Sequence, residues 1–198
     1  MATINGRTSE LPVDPMFLQR WSPRAFTGEA IPHETLMTIF EAARWAPSCF
    51  NAQPWRFCYA RRDSPRWEEF LGFLIPYNQS WAKNASVLAI AVSNSVIERP
   101  DVEPIPSHSH SFDTGAAWMS LALQAMKLGW AAHGMIGFDI ERAHGELNVP
   151  ADHRVEAAIA IGRPADASVL PEALAARERP TGRNPLSAML LEGGFPEP

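Results

Sequence analysis

Apolar residues recur along the chain at two spacings, and each spacing predicts a type of secondary structure. Helical spacing holds over residues 32–46, whereas residues 87–92 and 155–161 form continuous apolar runs short enough to be buried strands. The same rules predict helices over residues 13–19, 61–73 and 139–147, and a strand over residues 55–59. The pattern therefore predicts a protein that mixes helices with strands.

Residues 113–128 predict a helix that is apolar over nearly its whole circumference. We expect Asp113 or Thr114 to cap its start, Lys127 to suit its last turn and Gly129 to stop it in a left-handed conformation. Because such a helix must be buried all round, it requires either a central core position or a subunit partner. We therefore expect a homodimer with this helix near the interface.

A short polar segment between Pro47 and Pro54 joins the predicted helix over residues 32–46 to the predicted strand over residues 55–59. The two prolines restrict the backbone, so the loop should be rigid. A rigid polar loop suits ligand binding, but it is also an ordinary helix-to-strand connection.

Residues 94–110 are predicted to form a long loop, because prolines interrupt both helix and strand pairing there. This loop is a candidate lid or substrate rim. It ends with His108 and His110, which have no carboxylate or cysteine companions at metal-ligand spacing. We therefore expect these histidines to lie in a partly exposed loop without a metal.

Arg20, Ser22 and Arg24 lie within five residues, and Pro23 forbids a regular helix through them. Their guanidinium and hydroxyl groups can converge on one anion, such as a phosphate. The alternative is a pair of solvated surface arginines beside a capping serine. Further along, Gly134 to Asp139 form a glycine-flanked turn at which backbone can approach a flat ligand closely.

Composition narrows the class of protein. The chain has 198 residues, 46% of them hydrophobic and 20% charged, which predicts one globular domain. A net charge of −5 and the lack of a lysine- or arginine-rich run argue against a nucleic-acid partner. We see neither a signal peptide nor a run long enough to span a membrane, and expect a cytoplasmic protein whose cysteines, Cys49 and Cys58, are free thiols.

The common local motifs of dinucleotide, phosphoryl-transfer, zinc and serine-hydrolase sites do not occur in the sequence. What the chain offers instead is a possible phosphate site, polar groups for a planar ring and glycines for close approach. Together these features favour a bound organic cofactor that carries the chemistry.

Several short motifs also follow one another in a fixed order along the chain. They are Arg20-x-Ser22-x-Arg24-x-Phe26, Pro47-Ser48-x-x-Asn51-x-Gln53-Pro54-Trp55-x-Phe57, Asn78, Phe112-Asp113-x-Gly115-Ala116-Ala117, Gly137-Phe138-Asp139 and Arg183-x-Pro185-Leu186. In order and spacing they resemble the FMN-dependent nitroreductase family over about residues 14–190. The resemblance implies a single α+β domain over residues 1–198, with a central, mostly antiparallel sheet flanked by helices. It also implies a homodimer with two FMN sites at the subunit interface.

The resemblance further implies a reaction. FMN would be reduced by NADH or NADPH and would pass hydride by a ping-pong mechanism to a nitroaromatic, quinone or other unsaturated small molecule. The flavin N5 atom carries the hydride, so no catalytic side chain and no metal are expected. A flavin carrier or sensor with low turnover, and a dehalogenating or FMN-consuming relative, remain alternatives.

By position, the resemblance assigns the cofactor contacts to four parts of the chain. Arg20, Ser22 and Arg24 would contact the FMN phosphate and ribityl chain, and Arg183 would add a second cation. Pro47, Ser48, Cys49 and Asn51 would reach the flavin from the other subunit. Asn78 would pair with the pyrimidine edge, and the backbone of Ile136 and Gly137 would face N5. Trp81, with Lys83 two residues on, would lie at the N1/O2 edge.

Overall fold

The computed structural model describes residues 3–195. Its strands are β1 (Thr3–Ile4), β2 (Arg7–Thr8), β3 (Trp55–Arg61), β4 (Val87–Asn94), β5 (Val96–Arg99), β6 (Val102–Pro106), β7 (Ala131–Met135) and β8 (His153–Gly162). Its helices are α1 (Met16–Gln19), α2 (His33–Arg44), α3 (Trp67–Phe73), α4 (Pro76–Ala82), α5 (His110–Lys127), α6 (Ile140–Glu146) and α7 (Glu172–Ala175). The elements predicted from apolar spacing are therefore present, with shifted ends.

A four-stranded antiparallel sheet in the order β3-β4-β8-β7 forms the centre of the fold. The first six residues of β4 are apolar because both faces of the sheet are covered. Leu88, Ile90 and Val92 pack toward α3, α4, α6 and α7. The alternate residues Val87 and Ala89 pack toward α2 and α5 on the other face. This arrangement confirms the predicted α+β fold with a mostly antiparallel sheet.

Helix α5 begins three residues earlier than the sequence predicted. Asp113 and Thr114 do not cap it, but lie within the helix, 4% and 2% exposed. Gly129 follows the helix with a φ of +77°, as expected for a left-handed stop. Within one chain, helix α5 is not buried all round, since Phe112 is 83% exposed.

The prediction that residues 94–110 form a long loop is wrong. Strands β5 and β6 pair as an antiparallel hairpin, with Val96 opposite Pro106 and Arg99 opposite Val102. Proline is tolerated because both strands of a two-stranded ribbon are edges, so a missing N–H can face outward. Asp101 makes the turn with a φ of +60°.

A second small hairpin lies at the start of the described chain. Strands β1 and β2 are joined by Asn5 and Gly6, which have φ values of +54° and +69°. An Asn-Gly pair favours the two-residue turn that matches strand twist. Beyond α7 the chain runs mostly without regular elements, and residues 181–195 are exposed. In the described part of the chain, no helix has the length and apolar character that crossing a membrane requires.

Candidate functional site

Three distant segments bring arginines to one cavity of about 370 Å³. Its arginines are Arg7, Arg20, Arg24, Arg177, Arg179 and Arg183. Ser22 lines the same cavity, and its Oγ accepts a hydrogen bond of 3.3 Å from Nη1 of Arg20. The structure thus brings Arg20, Ser22 and Arg24 together with Arg183, which the resemblance assigned to one site, and favours convergence over two solvated arginines.

The arginines of this cavity repel one another. Burial lowers the pKa of Arg20, and the nearby charge of Arg183 lowers it further. Arg7 likewise has a lowered pKa, through burial first and then through Arg183 and Arg20. Because guanidinium groups stay protonated in proteins, this repulsion is relieved by binding an anion rather than by losing a proton. The cavity is suited to a phosphate, which arginine holds through paired hydrogen bonds.

A buried carboxylate fixes the loop that carries Arg24. Oε1 of Glu178 accepts hydrogen bonds from the backbone N–H groups of Arg24 at 2.5 Å and Ala25 at 2.8 Å. Its Oε2 lies 3.6 Å from Nη1 of Arg24. Glu178 lies 154 residues beyond Arg24 and no local motif marks it, so its role cannot be predicted from sequence spacing.

The cationic cavity borders on a larger cleft of about 1300 Å³. Arg20, Ser22, His133 and Arg183 line both spaces. Residues of β7, β8 and the first half of α5 line the cleft, together with Asn78, Ile136 and Gly137. The cleft therefore combines charged residues with a mixed polar and apolar lining.

The cleft lining at Gly137 leaves little space for a side chain. Asn78 is buried, and its Nδ2 donates to the carbonyl oxygen of Gly137 at 2.9 Å. A Cβ atom on residue 137 would lie 2.6 Å from that nitrogen and 2.8 Å from Cδ1 of Ile75. The backbone of Gly137 is thus packed closely against the amide that the resemblance assigned to the pyrimidine edge.

His133 is a cleft residue that the sequence analysis did not identify. Its Nδ1 lies 2.9 Å from the carbonyl oxygen of Pro23, which assigns the proton to Nδ1 as donor. Its ring centroid is 4.7 Å from that of Trp81. Burial lowers the pKa of His133, the bond to Pro23 opposes that shift, and the charge of Arg24 adds to it. No element was predicted over residues 131–135, so no sequence signal pointed to His133.

The expected position of Trp81 at the cofactor edge is not supported. Trp81 is 1% exposed and packs in the core against Phe26 and His133, while Lys83 is exposed. Within residues 3–195, neither side chain lines the cleft. His133, which covers Trp81, faces the cleft in its place.

The proline-bracketed loop does not reach the cleft of its own chain. Pro47, Ser48, Cys49 and Asn51 are absent from the described lining of both spaces. The loop is held instead by Asp113 of α5, whose Oδ2 accepts from the N–H of Cys49 at 3.1 Å.

This loop is also strained. Phe50, Asn51 and Gln53 have φ values of +51°, +55° and +48°. Left-handed conformations at residues other than glycine are costly, and they concentrate at functional sites. Phe50 is further held by Arg99 of the β5–β6 hairpin, whose Cζ lies 4.9 Å from the ring centroid.

The expectation that His110 lies in a loop is wrong, and a carboxylate distant in sequence lies beside it. His110 is the first residue of α5, and its Nδ1 is 2.7 Å from Oγ of Ser93 and 3.7 Å from Oε1 of Glu156. Oε1 of Glu156 also accepts from the hydroxyls of Ser93 and Ser111, each at 2.6 Å. Glu156 lies where β8 shifts register against β4, and such a bulge redirects a side chain. His108 remains exposed.

Comparison with known proteins agrees with this geometry. The model of the nitroreductase family matches residues 17–74 and 62–163. A solved structure described as an oxidoreductase containing FMN is 52% identical, with a TM-score of 0.95 and 99% of each chain covered. A second structure, from Desulfovibrio desulfuricans and assigned as a nitroreductase in complex with FMN, is 31% identical. Its TM-score is 0.70, with 95% of this chain and 100% of that chain covered.

A relative from Streptomyces coelicolor is assigned by name as an NADH dehydrogenase/NAD(P)H nitroreductase. It is 28% identical over 184 residues, which are 82% of this chain and 90% of the relative. Fold and comparisons together define an α+β oxidoreductase, and its arginine cavity adjoins an open cleft. The chain belongs to the nitroreductase family.

Proposed function

We propose that this protein is an FMN-dependent NAD(P)H oxidoreductase. It passes hydride by a ping-pong mechanism to a nitroaromatic, quinone or other unsaturated acceptor. The names of its relatives support the cofactor and the donor, since two similar structures are described with FMN and one relative as an NAD(P)H nitroreductase.

The observation that carries this proposal is that the arginine cavity and the large cleft share lining residues. FMN would fit such a pair of spaces, since it carries a phosphate dianion at one end and a planar ring at the other. Arg20, Arg24 and Arg183 would hold the phosphate with Ser22. Thr114 supports the fit, because its hydroxyl is buried at the cleft and has no hydrogen-bond partner within residues 3–195.

Around the flavin ring, the protein would orient the ring and offer backbone hydrogen-bond donors. Asn78 would pair with the pyrimidine edge, and the backbone of Ile136 and Gly137 would face N5. Within residues 3–195, the N–H of Gly137 donates to no protein acceptor, so it is free to face a ligand. When bound, FMN supplies a two-electron carrier at N5, and a donor directed at that atom favours charge there.

We also propose that the active form is a homodimer. Pro47, Ser48, Cys49 and Asn51 do not reach the cleft of their own chain, so they would serve the flavin of the partner. Phe112 and Ile136, each 83% exposed in the single chain, supply apolar surface for a second copy.

Anaerobic spectroscopy tests the function. The purified holoprotein should lose its flavin absorbance within seconds of adding NADH or NADPH, and should regain it when a quinone or nitroaromatic is added. Bound flavin that stays oxidised with both nucleotides would contradict the enzyme and favour the carrier or sensor. Comparing the two nucleotides, and then a panel of acceptors, would define the donor and acceptor classes.

A further inference from the structure

Arg7 is bonded to the backbone of both arginine-bearing segments. Its Nη1 donates to the carbonyl oxygens of Leu18 at 3.0 Å and Arg20 at 2.7 Å. Its Nε donates to the carbonyl oxygen of Thr181 at 2.9 Å. One guanidinium group therefore joins the end of α1 to the segment that carries Arg183.

The bond to Thr181 is especially important for the C-terminal segment. Within residues 3–195, it is the hydrogen bond that ties residues 180–184 to another part of the chain; the remaining bonds of these residues are internal. Arg183 donates to Thr181 and Gly182, so its own position follows theirs. Without Arg7, this segment has no other described polar anchor.

Arg7 itself is placed by the small N-terminal hairpin. It is the first residue of β2, directly after the Asn5-Gly6 turn. The hairpin is further tied to α1 by Asn5, whose Nδ2 donates to the carbonyl oxygen of Gln19 at 3.2 Å. The hairpin thus holds Arg7 between two segments that lie far apart in the sequence.

We propose that Arg7 is a positioning residue that sets Arg20 and Arg183 on the two sides of the phosphate cavity. Recognition of the FMN phosphate then depends on the N-terminal hairpin. This inference rests on the proposed function, because it takes FMN as the ligand. It extends that function by assigning a role to a residue outside the recognised motifs.

The test compares FMN with riboflavin, which has the same ring and ribityl chain but no phosphate. Flavin fluorescence titrations of the wild type should show a strong preference for FMN. Arg7→Ala should lose about tenfold or more in FMN affinity while its riboflavin affinity stays unchanged. A wild type without FMN preference would refute the phosphate site itself. A preserved preference in Arg7→Ala would refute only the role of Arg7.

Arg7→Lys separates position from charge. It keeps the charge but lacks the planar fork that reaches three carbonyls, so its FMN preference should fall almost as far as that of Arg7→Ala. Arg61→Ala removes an arginine outside both the cavity and the cleft, and should leave the FMN preference unchanged. Full rescue by Arg7→Lys would show that charge alone is needed, and the positioning role would be wrong.

Limited trypsin digestion gives a readout that needs no flavin. Arg7→Ala should be cleaved after Arg183 several-fold faster than the wild type, with release of residues 184–198 detected by mass spectrometry. Apart from the lost cut after residue 7 itself, cleavage elsewhere should be unchanged if the variant folds normally. Equal cleavage after Arg183 in both proteins would contradict the anchoring role. If Arg7→Ala does not fold, the same comparison made with Arg7→Lys decides.

Discussion

At the scale of single residues, the arginine cavity carries an excess of positive charge, and the pKa of Arg20 is lowered there. The backbone N–H groups of Arg24 and Ala25 already donate hydrogen bonds to Glu178, so the loop is formed before any ligand binds. A preorganised cation loses little conformational entropy on binding, which makes its contribution to affinity large.

Arg20→Ala or Arg24→Ala should therefore weaken FMN binding by about 1.5–3 kcal/mol, the usual cost of losing a charged hydrogen bond. Calorimetric titration of flavin-free protein measures the change. Arg61→Ala is a matched control, because Arg61 pairs with Asp63 outside both the cavity and the cleft. Unchanged FMN affinity in both Arg20→Ala and Arg24→Ala would remove the phosphate assignment.

His133 makes a separate prediction about pH. Burial keeps its native pKa below the ordinary value of 6.5, so the unfolded chain binds a proton that the native chain does not. The contribution to stability is complete above pH 6.5 and is lost as the pH falls toward the native pKa. The free energy of unfolding should fall with a slope of at most about 1.4 kcal/mol per pH unit from this group.

Urea denaturation of the flavin-free protein between pH 7.5 and 5 measures this slope. His133→Gln cannot take up the proton, so its unfolding free energy should vary less over the same range. Identical pH profiles for the wild type and His133→Gln would show that His133 does not titrate differently in the native state.

At the scale of elements, the sequence predicts what local patterning controls. The buried strand β4 and the helix α2 follow from continuous and helical apolar spacing. The β5–β6 hairpin departs from the prediction because prolines exclude pairing in central strands but not in a two-stranded ribbon. The Asn5-Gly6 pair is itself a strong local hairpin signal.

The contacts that position the site are less predictable, because they join segments far apart in the chain. Arg20, Ser22 and Arg24 are close in sequence, and a local motif suffices to find them. Arg7 and Glu178 act on that motif from opposite ends of the chain, and only the fold brings them together. Sequence spacing carries no information on such pairs.

Helix α5 also controls the strained loop through one side chain. Asp113 accepts hydrogen bonds from the N–H of Cys49 at 3.1 Å and from the hydroxyl of Ser109 at 3.0 Å. Asp113→Ala should remove about 1–3 kcal/mol of stability and increase hydrogen exchange in residues 47–54. Glu103→Ala, on exposed β6, is the control. Exchange in the loop that is unchanged by Asp113→Ala would show that the strain is held elsewhere.

At the scale of the whole molecule, the single chain leaves two kinds of surface without a described partner. Phe112 is exposed beside the cleft that Ser111 lines, and residues 181–195 are exposed along their length. The loop that the family resemblance assigns to the flavin lies away from its own cleft. A second copy of the chain accounts for these features together, because it would cover the apolar surface and bring its loop to the flavin.

Analytical ultracentrifugation at micromolar concentration should therefore give twice the 21.9 kDa chain mass. Phe112→Glu should shift the protein toward the single-chain mass and weaken FMN binding at the same time, since the partner loop would be lost. Folding should survive, because an acidic residue in the first turn of α5 favours the helix dipole. Val169→Glu places the same charge at an exposed apolar residue outside the cleft and should change neither property. A wild type that sediments as a monomer would refute the dimer, whereas monomeric Phe112→Glu with full FMN affinity would refute the contribution of the partner loop.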